Sequence, residues 1–137
     1  MENRIIEVAR AVFIEKGYVE TSMSEIAARV GINRPGLHYY FRTKDKMFQA
    51  VFGSIVLSVI PRVFEALVHK DKSIAQRVDC IVDAYYNLFV ENPKLPMFMF
   101  KEVNRNPELV IQTISELNVV DLIKKATTSI QEEMNEG

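Results

Sequence analysis

Tryptophan is absent and cysteine occurs once, so no disulfide can close within the chain. Glycine and proline are scarce, five of each, and they fall where segments end and not in turn-rich clusters. No glycine-rich phosphate loop, hydrolase elbow or Ser/His/Asp grouping is found. His38 and His69 stand far apart with no cysteine or aspartate at ligand spacing, which argues against a metal site. No stretch alternates apolar and polar residues long enough to suggest a strand, and no repeat or low-complexity tract is visible. The longest apolar run, 55–60 broken by Ser58, is too short to span a bilayer. No basic, long-apolar, small-residue signal opens the sequence. These absences predict an all-α, non-enzymatic, cytoplasmic protein without metal or cofactor and without a membrane partner.

What is present is apolar periodicity. With 137 residues, 48% of them hydrophobic, the chain can bury a core as one or two small domains. Its organising stretch is Thr21 to Lys46. Ser22-Met23-Ser24-Glu25 has the capping-box form, in which the serine hydroxyl and the glutamate each satisfy a first-turn N–H. Ile26, Ala27 and Val30 give the helix that follows an apolar face, and Gly31 ends it where a left-handed residue is needed. Asn33 caps a second helix, with Pro35 in the first turn, where a missing N–H is harmless. Leu37 and Phe41 anchor that helix inward, leaving Arg34, Gly36, His38, Tyr39 and Tyr40 outward. A helix of about eight residues, roughly 12 Å long, suits a major groove about 12 Å wide.

Charge supports this assignment. From Arg29 to Lys46 five basic residues (Arg29, Arg34, Arg42, Lys44, Lys46) face one acid, Asp45, whereas residues 51–137 carry 9 basic and 12 acidic side chains. A chain of net charge −1 has gathered its positive charge on one segment, as a polyanionic partner requires.

At these residues the chain resembles the TetR family of bacterial transcriptional regulators. The likeness rests on Gly17-Tyr18, Thr21-Ser22, Ile26-Ala27, Gly31-Ile32, Leu37, Tyr39-Tyr40-Phe41 and Lys44-Asp45-Lys46-Met47-Phe48, within about the first 55 residues. It implies that the second and third helices read DNA, with Ser24, Arg34, Pro35, Gly36, His38, Tyr39 and Tyr40 toward the duplex and Thr43 and Lys44 at its phosphates. It also implies double-stranded DNA with a pseudo-palindromic operator as the partner, bound by a homodimer with two heads in successive grooves roughly 34 to 36 Å apart. His38, where an aromatic is usual, and Pro35-Gly36, where glycine and a small polar residue are usual, bear on the operator sequence and leave the fold unaffected. Family members continue for about two further helices that pair with a second copy, so either the chain is a fragment or its dimer uses other surfaces.

Two domains are expected, a head over 1–46 and a helical regulatory body over 47–137, linked by a helix over 44–60. Ahead of the reading segment, Ile5, Ala9, Val12 and Phe13 predict a brace helix ended by Gly17. Pro61 is expected to kink or interrupt the linking helix, and His69-Lys70-Asp71-Lys72 to form a loop. Residues 73–91 place Ile74, Val78, Ile81, Val82, Tyr85, Leu88 and Phe89 on one apolar face, with Cys80 as a small buried neighbour. Asn106-Pro107 opens a last helix whose face is Ile111, Ile114, Leu117, Val120 and Ile123. Asn118 weakens its middle, and Gly137 is a natural stop.

The run 95–100, LPMFMF, has two readings: a helix wholly enclosed by neighbours, or one wall of an adaptable effector cavity built from Phe64, Tyr85, Phe89, Met97 and Phe98, with Met99 and Phe100 beside them. Glu102, Asn104 or Arg105 would supply its polar contact. The sequence thus points to a DNA-binding repressor whose operator affinity is altered by a small apolar or amphiphilic effector. Two alternatives are a helical protein-interaction adaptor that retains an unused helix-turn-helix, and a small enzyme using Asp79, Asp83 or Glu102.

Overall fold

The computed structural model describes residues 1–136, which form eight α-helices and no strand; the stop expected at Gly137 lies outside the described residues. The head comprises α1 (Glu2–Glu20), α2 (Met23–Val30) and α3 (Arg34–Tyr40). Ile5, Ala9, Val12 and Phe13 are fully buried along α1, as their spacing predicts. Gly17 leaves helical geometry (φ +81°, ψ 169°), so the last turn, carrying Tyr18, sets off in a new direction.

The start of α2 differs from expectation in one half. Ser22 accepts the Glu25 N–H at 3.1 Å, but the Glu25 carboxylate turns to Lys16 (2.7 Å) and Arg29 (3.2 Å) instead of returning to Ser22. Two cations outcompete one backbone donor for a carboxylate, and they hold it below the usual carboxylate range, Lys16 foremost. A complete capping box occurs elsewhere, between Ser73 and Gln76. Gly31 is left-handed (φ +90°) and closes α2, and Asn33 Oδ1 accepts the Gly36 N–H at 2.8 Å to open α3.

The long helix α4 (Lys44–Val68) runs unbroken through Pro61, contrary to the interruption expected there, so the linking helix is 25 residues long and not confined to 44–60. A proline at 61 deprives only the carbonyl of Leu57, and Leu57 is exposed, so water can take the lost bond. Taken whole, α4 is long and apolar enough by length and composition to cross a membrane, which the short run before Pro61 did not indicate. Packing accounts for the first half of that character: Met47, Phe48, Val51, Phe52, Ile55 and Val56 are buried, whereas 57–68 are half-buried or exposed although α1, α5, α7 and α8 all lie against this helix.

The body continues with α5 (Ile74–Glu91), α6 (Leu95–Arg105), α7 (Pro107–Glu116) and α8 (Val119–Glu136). Four expectations are corrected here. The predicted apolar face of α5 is covered only in part: Ile81, Tyr85, Leu88 and Phe89 are half-buried, Ile74, Val78 and Val82 are exposed, and the one fully buried side chain is Arg77. Its guanidinium donates to the carbonyls of Leu67, His69 and Lys72 and forms a two-pronged pair with Glu133 (2.7 Å each), clamping the end of α4 to α5 and α8. Such a fork can satisfy five acceptors at once, which no aliphatic side chain could do at a helix end. Cys80 is half-buried, not enclosed, and receives a hydrogen bond from Lys72 Nζ at 3.2 Å.

The expected last helix is two. Asn118 adopts a left-handed conformation (φ +60°) and separates α7 from α8, an outcome open to asparagine more than to most side chains. The turn rotates the apolar register, so Val110, Thr113, Val119 and Ala126 are buried while Ile111, Val120 and Ile123 are exposed. Finally, α6 is not wholly enclosed: Leu95 and Phe98 are buried, but Met97 and Phe100 are about 60% or more exposed (59% and 67%).

Candidate nucleic-acid interface and effector cavity

The helix pair α2 and α3 is joined by a three-residue turn, Gly31-Ile32-Asn33, whose capping at both sides fixes the relative setting of the two helices. Leu37 is fully buried and Phe41 nearly so, which roots α3 in the head. The opposite face is open. Tyr39 is 81% exposed and Tyr40 40%, and their rings meet edge to face at 5.1 Å, each limiting the other's rotation. Arg34, Pro35, Arg42, Thr43 and Ser24 are exposed, and Gly36 and His38 half-exposed. His38 Nδ1 lies 3.2 Å from the Arg42 carbonyl oxygen, a contact that orients the ring while leaving Nε2 outward.

No acid intrudes on this face. Among the described residues, Arg34, Arg42 and Lys46 form no ion pair and no side-chain hydrogen bond. Arg29 differs, being tied to Glu25 and to Glu15 at 3.7 Å. The sequence balance counted it as available positive charge, whereas it pairs with two carboxylates of the head. Asp45, the single acid of the basic segment, accepts the Tyr18 hydroxyl.

Lys44 is held differently from what the family likeness implies. Its ammonium sits 4.2 Å from the centre of the Tyr18 ring and 3.5 Å from the Val19 carbonyl, and burial, helped by the Arg105 charge, lowers its pKa. Reaching a phosphate would require it to leave that ring.

Tyr18 is in fact the centre of a head-to-body joint that sequence reasoning missed. Arg105 of α6 stacks over the same ring at 3.7 Å. Arg105 Nε donates to Glu102 Oε2 at 2.6 Å, and Glu102 Oε1 accepts the Tyr18 backbone N–H at 3.0 Å. Glu102 is 3% exposed, so it is a buried structural acceptor and not the polar effector contact expected of it. Burial and the Asp45 bond raise the Tyr18 phenol to about 12. The i, i+3 spacing of Glu102 and Arg105 was legible; that both meet Tyr18, 84 residues before Glu102, was not.

The other face of α6 opens on an apolar cavity of about 310 Å³. Tyr85, Phe89 and Met99 line it as the sequence suggested, joined by Phe52 and Ile55 of α4 and Val103 of α6. Val110, Ile114 and Ile123 also line it. The remaining expected lining residues lie elsewhere. Phe98 packs on Phe48 in the core at 6.2 Å, Met97 faces outward, and Phe64 lines a separate small void of about 100 Å³ between α4 and α8. Helical periodicity explains the error: residues 97 and 98 point about 100° to 160° away from 99 and 103, so one run cannot place all four on one wall. Asp79 and Asp83 are exposed, away from the cavity, and no group of three or more metal-binding side chains exists among the described residues.

Residues 5–51 match the model for bacterial regulatory proteins of the tetR family. Two curated relatives extend past that segment. The transcriptional activator FasR of Mycolicibacterium smegmatis is 30% identical over 89 residues, 65% of this chain and 40% of that protein. The fatty acid metabolism regulator protein of Bacillus subtilis is 26% identical over 98% of this chain and 71% of its own length. The chain therefore spans less than half of the first relative and about seven-tenths of the second. Among solved structures, a Mesorhizobium loti protein of TetR-family description superposes with a TM-score of 0.73 at 23% identity, covering 99% of this chain and 69% of that one. Thermus thermophilus FadR, a TetR-family repressor solved with lauroyl-CoA, superposes with a TM-score of 0.64 at 19% identity, covering 97% and 69%. These likenesses extend the fold over the whole chain.

Proposed function

We propose that this chain, whose residues 5–51 match the tetR-family model, is a sequence-specific DNA-binding transcriptional regulator whose operator affinity is set by an apolar or amphiphilic effector in the α4–α8 cavity. The observation that carries the DNA half is the open face of α3, with Arg34 unpaired beside two exposed tyrosines and no acid among them. Arg34, His38, Tyr39 and Tyr40 contact base edges and sugars, with Ser24, Pro35 and Gly36 at the close approach. Thr43 and, once it leaves Tyr18, Lys44 hold phosphates. The head is residues 1–46 and the body 47–137, and two copies related by a two-fold axis read a pseudo-palindrome.

Coupling runs through α6 as well as α4. One face of α6 supplies Met99 and Val103 to the cavity, and the other supplies Glu102 and Arg105 to the Tyr18 joint. An effector that shifts α6 changes how the head sits on the body, with a coupling of about 1 to 3 kcal/mol, or roughly 5- to 150-fold in operator affinity. The direction of response proposed is repression relieved by effector. Selection of bound fragments from genomic DNA, followed by a salt titration of the enriched site, is the test. Enrichment of a pseudo-palindrome with steep salt dependence is expected. Affinity indifferent to salt and sequence would instead favour a protein-interaction adaptor with an idle head.

A further inference from the structure

Beside the apolar cavity lies a polar cleft of about 460 Å³, and the two share Val59 and Leu88 as a common wall. Arg10 of α1 and Arg62 of α4 both line this cleft, with Asn87, Glu91 and Asn92 of the end of α5. Neither guanidinium lies within ion-pair distance of a carboxylate among the described residues, although Glu91 borders the same space. Two arginines against one exposed acid leave the cleft net positive. The cavity on the other side of Val59 and Leu88 offers no charged group at all. A purely apolar ligand would leave this arrangement unused.

We propose that the effector is an amphiphile with an anionic head group, its chain passing between Val59 and Leu88 into the cavity and its head held by Arg10 and Arg62. The inference rests on the effector reading above and specifies its chemistry. Both arginines are fork donors suited to carboxylate or phosphate oxygens. Arg10 belongs to the DNA-reading head and Arg62 to the body, so an anion held by both binds the one head-to-body geometry in which they approach. Such differential binding is what a ligand needs to shift a conformational equilibrium.

The test is calorimetric titration of the whole chain, without DNA, with decanoate, decanoyl-CoA and the uncharged 1-decanol, repeated on Arg10→Gln/Arg62→Gln and on the cavity-filling Val103→Trp. At least one anionic probe is expected to bind about 10-fold or more tighter than decanol. That advantage should vanish in the double arginine variant while decanol binding is unchanged, and Val103→Trp should weaken all three. An advantage confined to decanoate identifies a carboxylate head, and one confined to decanoyl-CoA a phosphate head; either supports the proposal. Equal binding of decanol and both anions, or an advantage that survives the double variant, overturns it. Because DNA is absent, the two readings separate. Anion-dependent binding that leaves operator affinity untouched sinks the regulatory role alone, and decanol matching the anions while altering DNA affinity sinks the arginine clamp alone.

Discussion

Glu102 offers the sharpest measurement of how head and body are joined. In Glu102→Ala the Tyr18 N–H loses its acceptor and the Arg105 guanidinium, stacked on Tyr18 and three-quarters buried, loses its counter-charge. An unsatisfied backbone donor costs about 1 to 3 kcal/mol. Loss of the ion partner would cost about 3 to 5 kcal/mol if fully buried, but the exposed quarter of Arg105 admits water and screens it, leaving roughly 1 to 2. Together the change should destabilise the chain by about 3 kcal/mol, a large part of the 5 to 15 kcal/mol typical of such a protein. The melting temperature should fall by roughly 10 °C. Glu102→Gln, which keeps an acceptor for Tyr18 and loses the charge, should cost about half as much. A cycle with Arg105→Ala should return a coupling above about 1 kcal/mol, and the exposed Glu108→Ala, as control, should stay within about 0.5. Urea unfolding monitored by far-ultraviolet circular dichroism checks all four. A Glu102→Ala protein within about 0.5 kcal/mol of the parent would show that the joint is not a structural tie, and the coupling route through α6 would fall with it.

Gly17→Ala should cost about 1 to 3 kcal/mol in the same assay although a methyl has room there, 3.7 Å from Glu102 Oε1, because φ +81° with ψ 169° is glycine's territory. Ultraviolet titration should find one of the five tyrosines ionising near pH 12, and Tyr18→Phe should remove that step and no other. The Arg77 guanidinium holds the Glu133 carboxyl below its ordinary value. A depressed carboxyl contributes stability above the unfolded value near 4.5 that is lost as pH falls through the folded one, so acid should erode the parent's stability there more than that of Glu133→Gln. In DNA titrations Lys44→Ala should weaken every sequence alike and reduce the salt slope by about one, whereas Arg34→Ala should relax preference at one base position. Equal losses on all sequences from both would reduce Arg34 to a phosphate contact.

The head was legible because its determinants are local. Ser22, Gly31, Asn33 and Pro35 act on neighbours within three or four residues, and a cap is satisfied or not whatever the rest of the chain does. The body was legible only in part. Apolar periodicity located α5 and α6 but could not say which side would be covered, since Val78 and Val82 meet no partner while Met99 and Val103 meet a cavity. Pro61 and Asn118 show the same limit from opposite sides: the proline was expected to break a helix that continues, and the asparagine to weaken one that it divides. Each outcome depends on what the flanking turns pack against.

From sequence alone, then, came the all-α class, the helix-turn-helix with its outward arginine and tyrosines, and the kinship they imply. Three-dimensional packing decided which wall became the cavity, that Glu102 and Arg105 serve Tyr18 instead of an effector, and that a helix apolar enough for a membrane lies against four others. The physical reason is range: capping and turn preferences are settled over a few bonds, whereas burial and charge pairing depend on residues brought together from as far apart as Tyr18 and Arg105.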